Sequence, residues 1–81
     1  MDMKLLTVEL DEAGDLVEMH MDKAGAIYLR DLLTDLIEAD QNTSLHLMSP
    51  DWGGDELCAD QQNLSDDVSL VNHLKLLYWS E

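Results

Sequence analysis

Val68-Ser69-Leu70-Val71-Asn72-His73-Leu74-Lys75-Leu76-Leu77-Tyr78-Trp79 is the stretch whose reading decides the fold. Leu70, Leu74 and Leu77 fit helical spacing, so a helix over 66–78 competes with a strand. The alternation through His73-Leu74-Lys75-Leu76 is clean and favours one long strand. In that strand Leu70, Leu74, Leu76 and Tyr78 share one face. Ser69, Val71, His73, Lys75, Leu77 and Trp79 share the other.

Outward from this stretch the other elements fall into place. Residues 3–10 alternate as a strand, and Asp11-Glu12-Ala13-Gly14-Asp15 reads as a turn with Gly14 free to take a positive φ. Leu16 to Met21 is a second strand, with Val17, Met19 and Met21 opposite Glu18 and His20. Asp22 suits an N-cap for a helix from about Lys23 to Ala39. On that helix Tyr28, Leu29, Leu32, Leu33, Leu36 and Ile37 form a broad apolar face. Gly25 falls on the same side, where it permits close approach to a sheet, and Ile27 falls on the polar side. Ser44 to Met48 is a short third strand, with Leu45 and Leu47 inward and His46 outward. Residues 55–67 are polar and long for a structureless connection, so a helical turn or a mobile segment is expected there, with Leu57 and Leu64 as tethers. The order is β-β-α-β-β. It predicts one α+β domain over residues 1–81, a four-stranded, mainly antiparallel sheet with one helix packed on one face. The other sheet face, carrying Thr7, Glu9, Glu18, His20, His46, His73 and Lys75, is expected to be wet.

Between the third strand and the long connection lies Met48-Ser49-Pro50-Asp51-Trp52-Gly53-Gly54-Asp55-Glu56-Leu57. It holds the only proline, two of the four glycines and one of the two tryptophans. Pro50, Gly53 and Gly54 mark a shaped loop. Trp52, with Asp51, Asp55 and Glu56 beside it, is either a binding anchor or a lid on the core.

Charge bounds the function. Eighteen acidic residues stand against four basic ones, for a formal net charge of −14. Nucleic acid and anionic membranes are disfavoured as partners, and a basic protein is favoured. The 46% hydrophobic content is too high for a disordered acidic tail. One cysteine, Cys58, allows no internal disulfide, and Met1-Asp2-Met3-Lys4 lacks the pattern of a signal peptide, so a cytoplasmic protein is expected.

No catalytic or cofactor motif stands out. His20, His46 and His73 fall in the outward register of three strands and would form a metal site only if those strands were neighbours. Cys58 lies in acidic surroundings that raise a thiol's pKa, which counts against a nucleophile. Asp51, Asp55 and Glu56, like Asp11, Glu12 and Asp15, do not match a calcium loop. Neither a metal nor another cofactor is expected. Leu77 and Trp79 sit together on the outward face, which suits a partner or a homodimer contact.

The run His46-Leu47-Met48-Ser49-Pro50-Asp51-Trp52-Gly53-Gly54-Asp55-Glu56-Leu57 resembles the core of the immunity protein 32 family, small proteins of bacterial polymorphic toxin systems. Lys4-Leu5-Leu6-Thr7-Val8-Glu9-Leu10 and the closing Leu77-Tyr78-Trp79 are similar too, while Asn72-His73-Leu74-Lys75 departs from the pattern. The resemblance implies a non-enzymatic α+β protein that binds and neutralises a cognate toxin domain, with no catalytic residues. Under that expectation Asp51, Trp52, Asp55 and Glu56 contact a basic toxin, for example a nuclease. The alternatives are a nucleic-acid mimic acting on a DNA-binding protein and a small metal- or thiol-dependent enzyme.

Overall fold

A computed structural model describes residues 4–80. The expectations that fall on Met1, Asp2 and Met3 lie outside the described residues. The elements run β1 (Leu6–Asp11), β2 (Val17–Met21), α1 (Lys23–Ala39), β3 (Thr43–Met48), a single 3-10 turn (Pro50–Trp52), β4 (Val68–Val71) and β5 (His73–Tyr78). The α+β class is as expected, with one helix and antiparallel strands throughout. The four-stranded sheet is not what forms. Among the described residues five strands make two sheets, ordered β2-β1-β4 and β3-β5.

The first hairpin follows from local chemistry. Asp11 Oδ1 accepts the N–H groups of Asp15 and Leu16, and Gly14 takes φ +78° to close the turn. Glu9 then pairs with Glu18 and Val8 with Met19. The helix begins where Asp22 predicts. Its carboxylate accepts from Gly25 N–H at 2.7 Å and also from Leu5 N–H at 3.1 Å, so the cap ties the helix to the start of β1. Gly25 is buried there because a Cβ would stand 1.9 Å from the Leu5 carbonyl oxygen. The helix ends at Asp40, whose left-handed backbone (φ 48°) turns its N–H onto the Leu36 carbonyl.

The expected final strand is interrupted. Asn72 separates β4 from β5, and the side-chain alternation slips there by one residue. Val71 pairs with Val8 and Leu74 with Leu47, so both face the buried cluster of Leu6, Val8, Leu47 and Leu57. Leu70 pairs with Glu9 on the opposite face. The expectation that Leu70 joins Leu74 and that Val71 joins His73 is therefore corrected. An inserted residue bends a strand and reverses its faces, and the alternation on either side gives no sign of it.

Tyr28 and Leu32 pack on the core cluster, and Leu36 is buried. The broad apolar helix face is only partly used: Leu33 and Ile37 are exposed, Ile37 at 65%. Ile27 is partly exposed, as its polar-side position implies. Leu57 is a tether, fully buried, with its N–H on the Met48 carbonyl while Cys58 N–H bonds the Leu6 carbonyl. These adjacent bonds stitch the two sheets together. Leu64 is not a tether, being among the most exposed residues. No helix among the described residues is long and apolar enough to cross a membrane.

The Gly25 contact sets a direct test. Alanine is a better helix former by about 1 kcal/mol, yet here its methyl meets backbone rather than a flexible side chain. Overpacking of this kind costs about 1–3 kcal/mol. Gly25→Ala is expected to lower the urea midpoint with an unchanged m-value. A raised midpoint would show that the helix can lift off Leu5.

Candidate interaction surface

Two surface features follow from this fold, the Trp52 turn and an acidic cleft on the opposite side of β1 from the helix.

The turn is built on Ser49, which is fully buried. Its N–H bonds the Asn72 carbonyl at 2.9 Å, and its hydroxyl donates to Asn72 Oδ1 at 2.6 Å. Its own carbonyl accepts from Trp52 N–H at 2.9 Å and Gly54 N–H at 3.0 Å. Pro50 presets the 3-10 turn, and Gly53 leaves it at φ +88°. Gly54 passes so close to β3 that a Cβ would lie 2.5 Å from the Met48 carbonyl oxygen. Trp52 rides on this frame 58% exposed, its ring tilted 5.8 Å from that of His73. The indole thus leans on the sheet and also presents surface.

The residues expected to bind a partner divide. Asp51 and Asp55 are exposed beside Trp52. Glu56 is turned inward, its Oε1 accepting the N–H of Met48 at 3.1 Å. That bond holds the Glu56 carboxyl below its usual range. Lys4 reaches the Asp55 carbonyl at 2.9 Å and lies over the Tyr28 ring. Pro50, Gly53 and Gly54 shape the loop as expected.

The three histidines do not converge. His46 Nδ1 and His73 Nε2 form a hydrogen bond of 2.7 Å on the outward face of β3-β5. His20 stands in the other sheet with Glu18 at 3.0 Å and Glu9 at 3.5 Å. The metal reading built on His20, His46 and His73 therefore fails on geometry. Cys58 is partly buried, its Sγ–H donating to the Lys4 carbonyl at 3.0 Å, and no histidine partners it.

The cleft reverses another expectation. Thr7 and Glu9 are not on a wet face, and both are 0% exposed. The connection from Leu57 to Asp67 lies across them as a strap. Thr7 Oγ1–H reaches the Asp60 carbonyl, while Glu9 accepts Gln62 N–H at 2.6 Å and Asn63 N–H at 3.1 Å. Such charge-assisted bonds are stronger than neutral ones and fix the strap to β1. Two glutamates opposite one another across a hairpin repel. His20 sits between them, with Asn63 Nδ2 donating to Glu18 at 3.3 Å. Glu9, Glu18 and His20 are the one group among the described residues whose donors, all within 4.8 Å, have metal-ligand spacing. The imidazole Nε2 is already hydrogen-bonded to Glu18 at 3.0 Å and lies 3.5 Å from Glu9. Beside them opens a cleft of about 220 Å³, lined by Glu9, Asp11, Glu18, Asp67, Asn63 and Ser65 among others. The signal for the glutamate pair was present in the hairpin register; the signal for the strap was not.

Compared with protein-family models, curated proteins and solved structures, the chain matches none.

Glu9→Leu leaves two strap amides without an acceptor, at about 1–3 kcal/mol each. Hydrogen exchange at Gln62 and Asn63 is expected to accelerate well beyond any change at β1 and β2; equal changes everywhere would deny the strap its separate anchor. Acid has a second, defined effect. The Gly25 and Leu5 N–H groups hold the Asp22 carboxyl below its ordinary value, as Met48 does for Glu56. Lowered native pKa values give stability that is present above the unfolded carboxyl range and lost as pH falls through the native values. The urea midpoint is expected to drop on acidification below about pH 4, and less steeply in an Asp22→Asn, Glu56→Gln variant. Identical pH profiles would remove both carboxylates from the linkage.

Proposed function

We propose that this protein is a non-enzymatic inhibitor of the immunity type, which binds a basic toxin domain and blocks it. The observation that carries this reading is an uncompensated charge of −14 together with Trp52, half-exposed on a rigid turn between the exposed Asp51 and Asp55. Tryptophan anchors are over-represented among the residues that dominate binding energy. A frame already ordered before contact spares the entropy of ordering it on binding. Carboxylates around the anchor steer a cationic partner and exclude acidic ones. Such an inhibitor is also what the resemblance of His46–Leu57 to the immunity protein 32 pattern implies, although no family model matches the chain.

The reading predicts that a modular protein ending in a toxin domain is encoded beside this gene, and it is tested with that domain. Co-production is expected to restore growth to cells making that domain, and the two proteins are expected to purify together. Trp52→Ala is expected to weaken the complex by about thirtyfold or more, the loss typical of a hot spot. Reversing Asp51 and Asp55 to lysine is expected to slow association and flatten its salt dependence. Full neutralisation by the triple variant would move the contact away from this turn. Absence of any complex with the neighbouring toxin would remove the function itself.

A further inference from the structure

The outward face of β3-β5 is unlike the rest of the molecule. Its strand residues are Ser44, His46 and Met48 on β3 and His73, Lys75 and Leu77 on β5. None is acidic, in a chain with eighteen acids. Leu77 is 55% exposed and the following Trp79 is 70% exposed, with Trp52 at the other end against His73. Nothing among the described residues covers this face, and a two-stranded sheet is marginal without further packing.

We infer that this face is the contact between two copies of the chain, joined sheet to sheet as a homodimer. Two observations select a second copy. The first is charge. Two chains of −14 repel wherever carboxylates meet carboxylates, and here each would present histidines, one lysine and apolar side chains instead. A basic toxin gains nothing from a face without acids. The second is apolar exposure. Leu77 at 55% and Trp79 at 70% place two large, mostly exposed apolar side chains together at one end of the acid-free face, the kind of residues that form the centre of an interface. Sheets stacked face to face lie about 10 Å apart, a gap that Leu77 and Trp79 side chains fill. The inference stands apart from the toxin reading, and either holds without the other.

Sedimentation velocity on the full chain, from about 5 μM to about 500 μM, tests it across the range where a micromolar dimer dissociates. A monomer–dimer equilibrium is expected, tightening severalfold between low and high salt as the mutual repulsion is screened. Trp79→Ser is expected to weaken it at least tenfold, and Leu77→Asp more, with far-UV circular dichroism unchanged. Ile37→Asp, on the exposed flank of the helix, is expected to leave it intact. Should Leu77→Asp fail to fold, Trp79→Ser, beyond the end of β5, carries the test alone. A monomer at every concentration overturns the inference, as does a dimer that survives Trp79→Ser, is lost in Ile37→Asp, or weakens with salt.

Discussion

The structure depends on the clasp between Ser49 and Asn72. Ser49 meets Asn72 through both backbone and side chain, with Ser49 fully buried and Asn72 half-buried. At Asn72 the last strand gains its extra residue and passes from the sheet of β1 to the sheet of β3. At Ser49 the chain leaves β3 and enters the turn that carries Trp52. One pair of residues thus sets the boundary between the sheets, the face on which His73 stands and the frame beneath the indole. Satisfied polar pairs in a core tolerate little displacement, because each leaves a costly unpaired group if it moves.

The elements that could be read from the sequence were those with local causes. Asp22 capped the helix at the expected residue because its acceptor meets a donor three positions on. Gly14, Gly25, Leu45 and Leu47 did what their neighbours implied. The failures share a different cause. Val71 and Leu70 exchanged faces because a single insertion leaves the alternation on both sides intact. Glu9 was expected in water because the strap that covers it comes from more than fifty residues away. Leu33 and Ile37 carry the hydrophobicity of a core face without a neighbour to meet it. In the surface features, the exposure of Asp51 and Asp55 was legible; for Trp52 the sequence left an anchor and a lid both open, and the inward turn of Glu56 depended on where Met48 came to lie.

The strap changes the meaning of the acidity. Much of the negative charge is solvated and serves the surface, but Glu9 is structural, replacing a missing apolar layer with two backbone hydrogen bonds. A chain of this length buries too little surface to cover both faces of a sheet with side chains alone. Covering one face with a helix and the other with a hydrogen-bonded ribbon is a solution for a sequence without phenylalanine.

The pairing of β1 with β4 also constrains how the molecule is made. Val8 meets Val71 and Glu9 meets Leu70, contacts between residues roughly sixty positions apart, and such long loop closures slow folding. On the ribosome the hairpin of β1 and β2 and the helix emerge first, while one edge of β1 stays open until residues 68–71 leave the exit tunnel. Until then Val8 lacks its partner Val71 across that edge. The nascent chain is therefore most exposed to mispairing at its first strand, and its many carboxylates keep those unfinished chains apart in the interval.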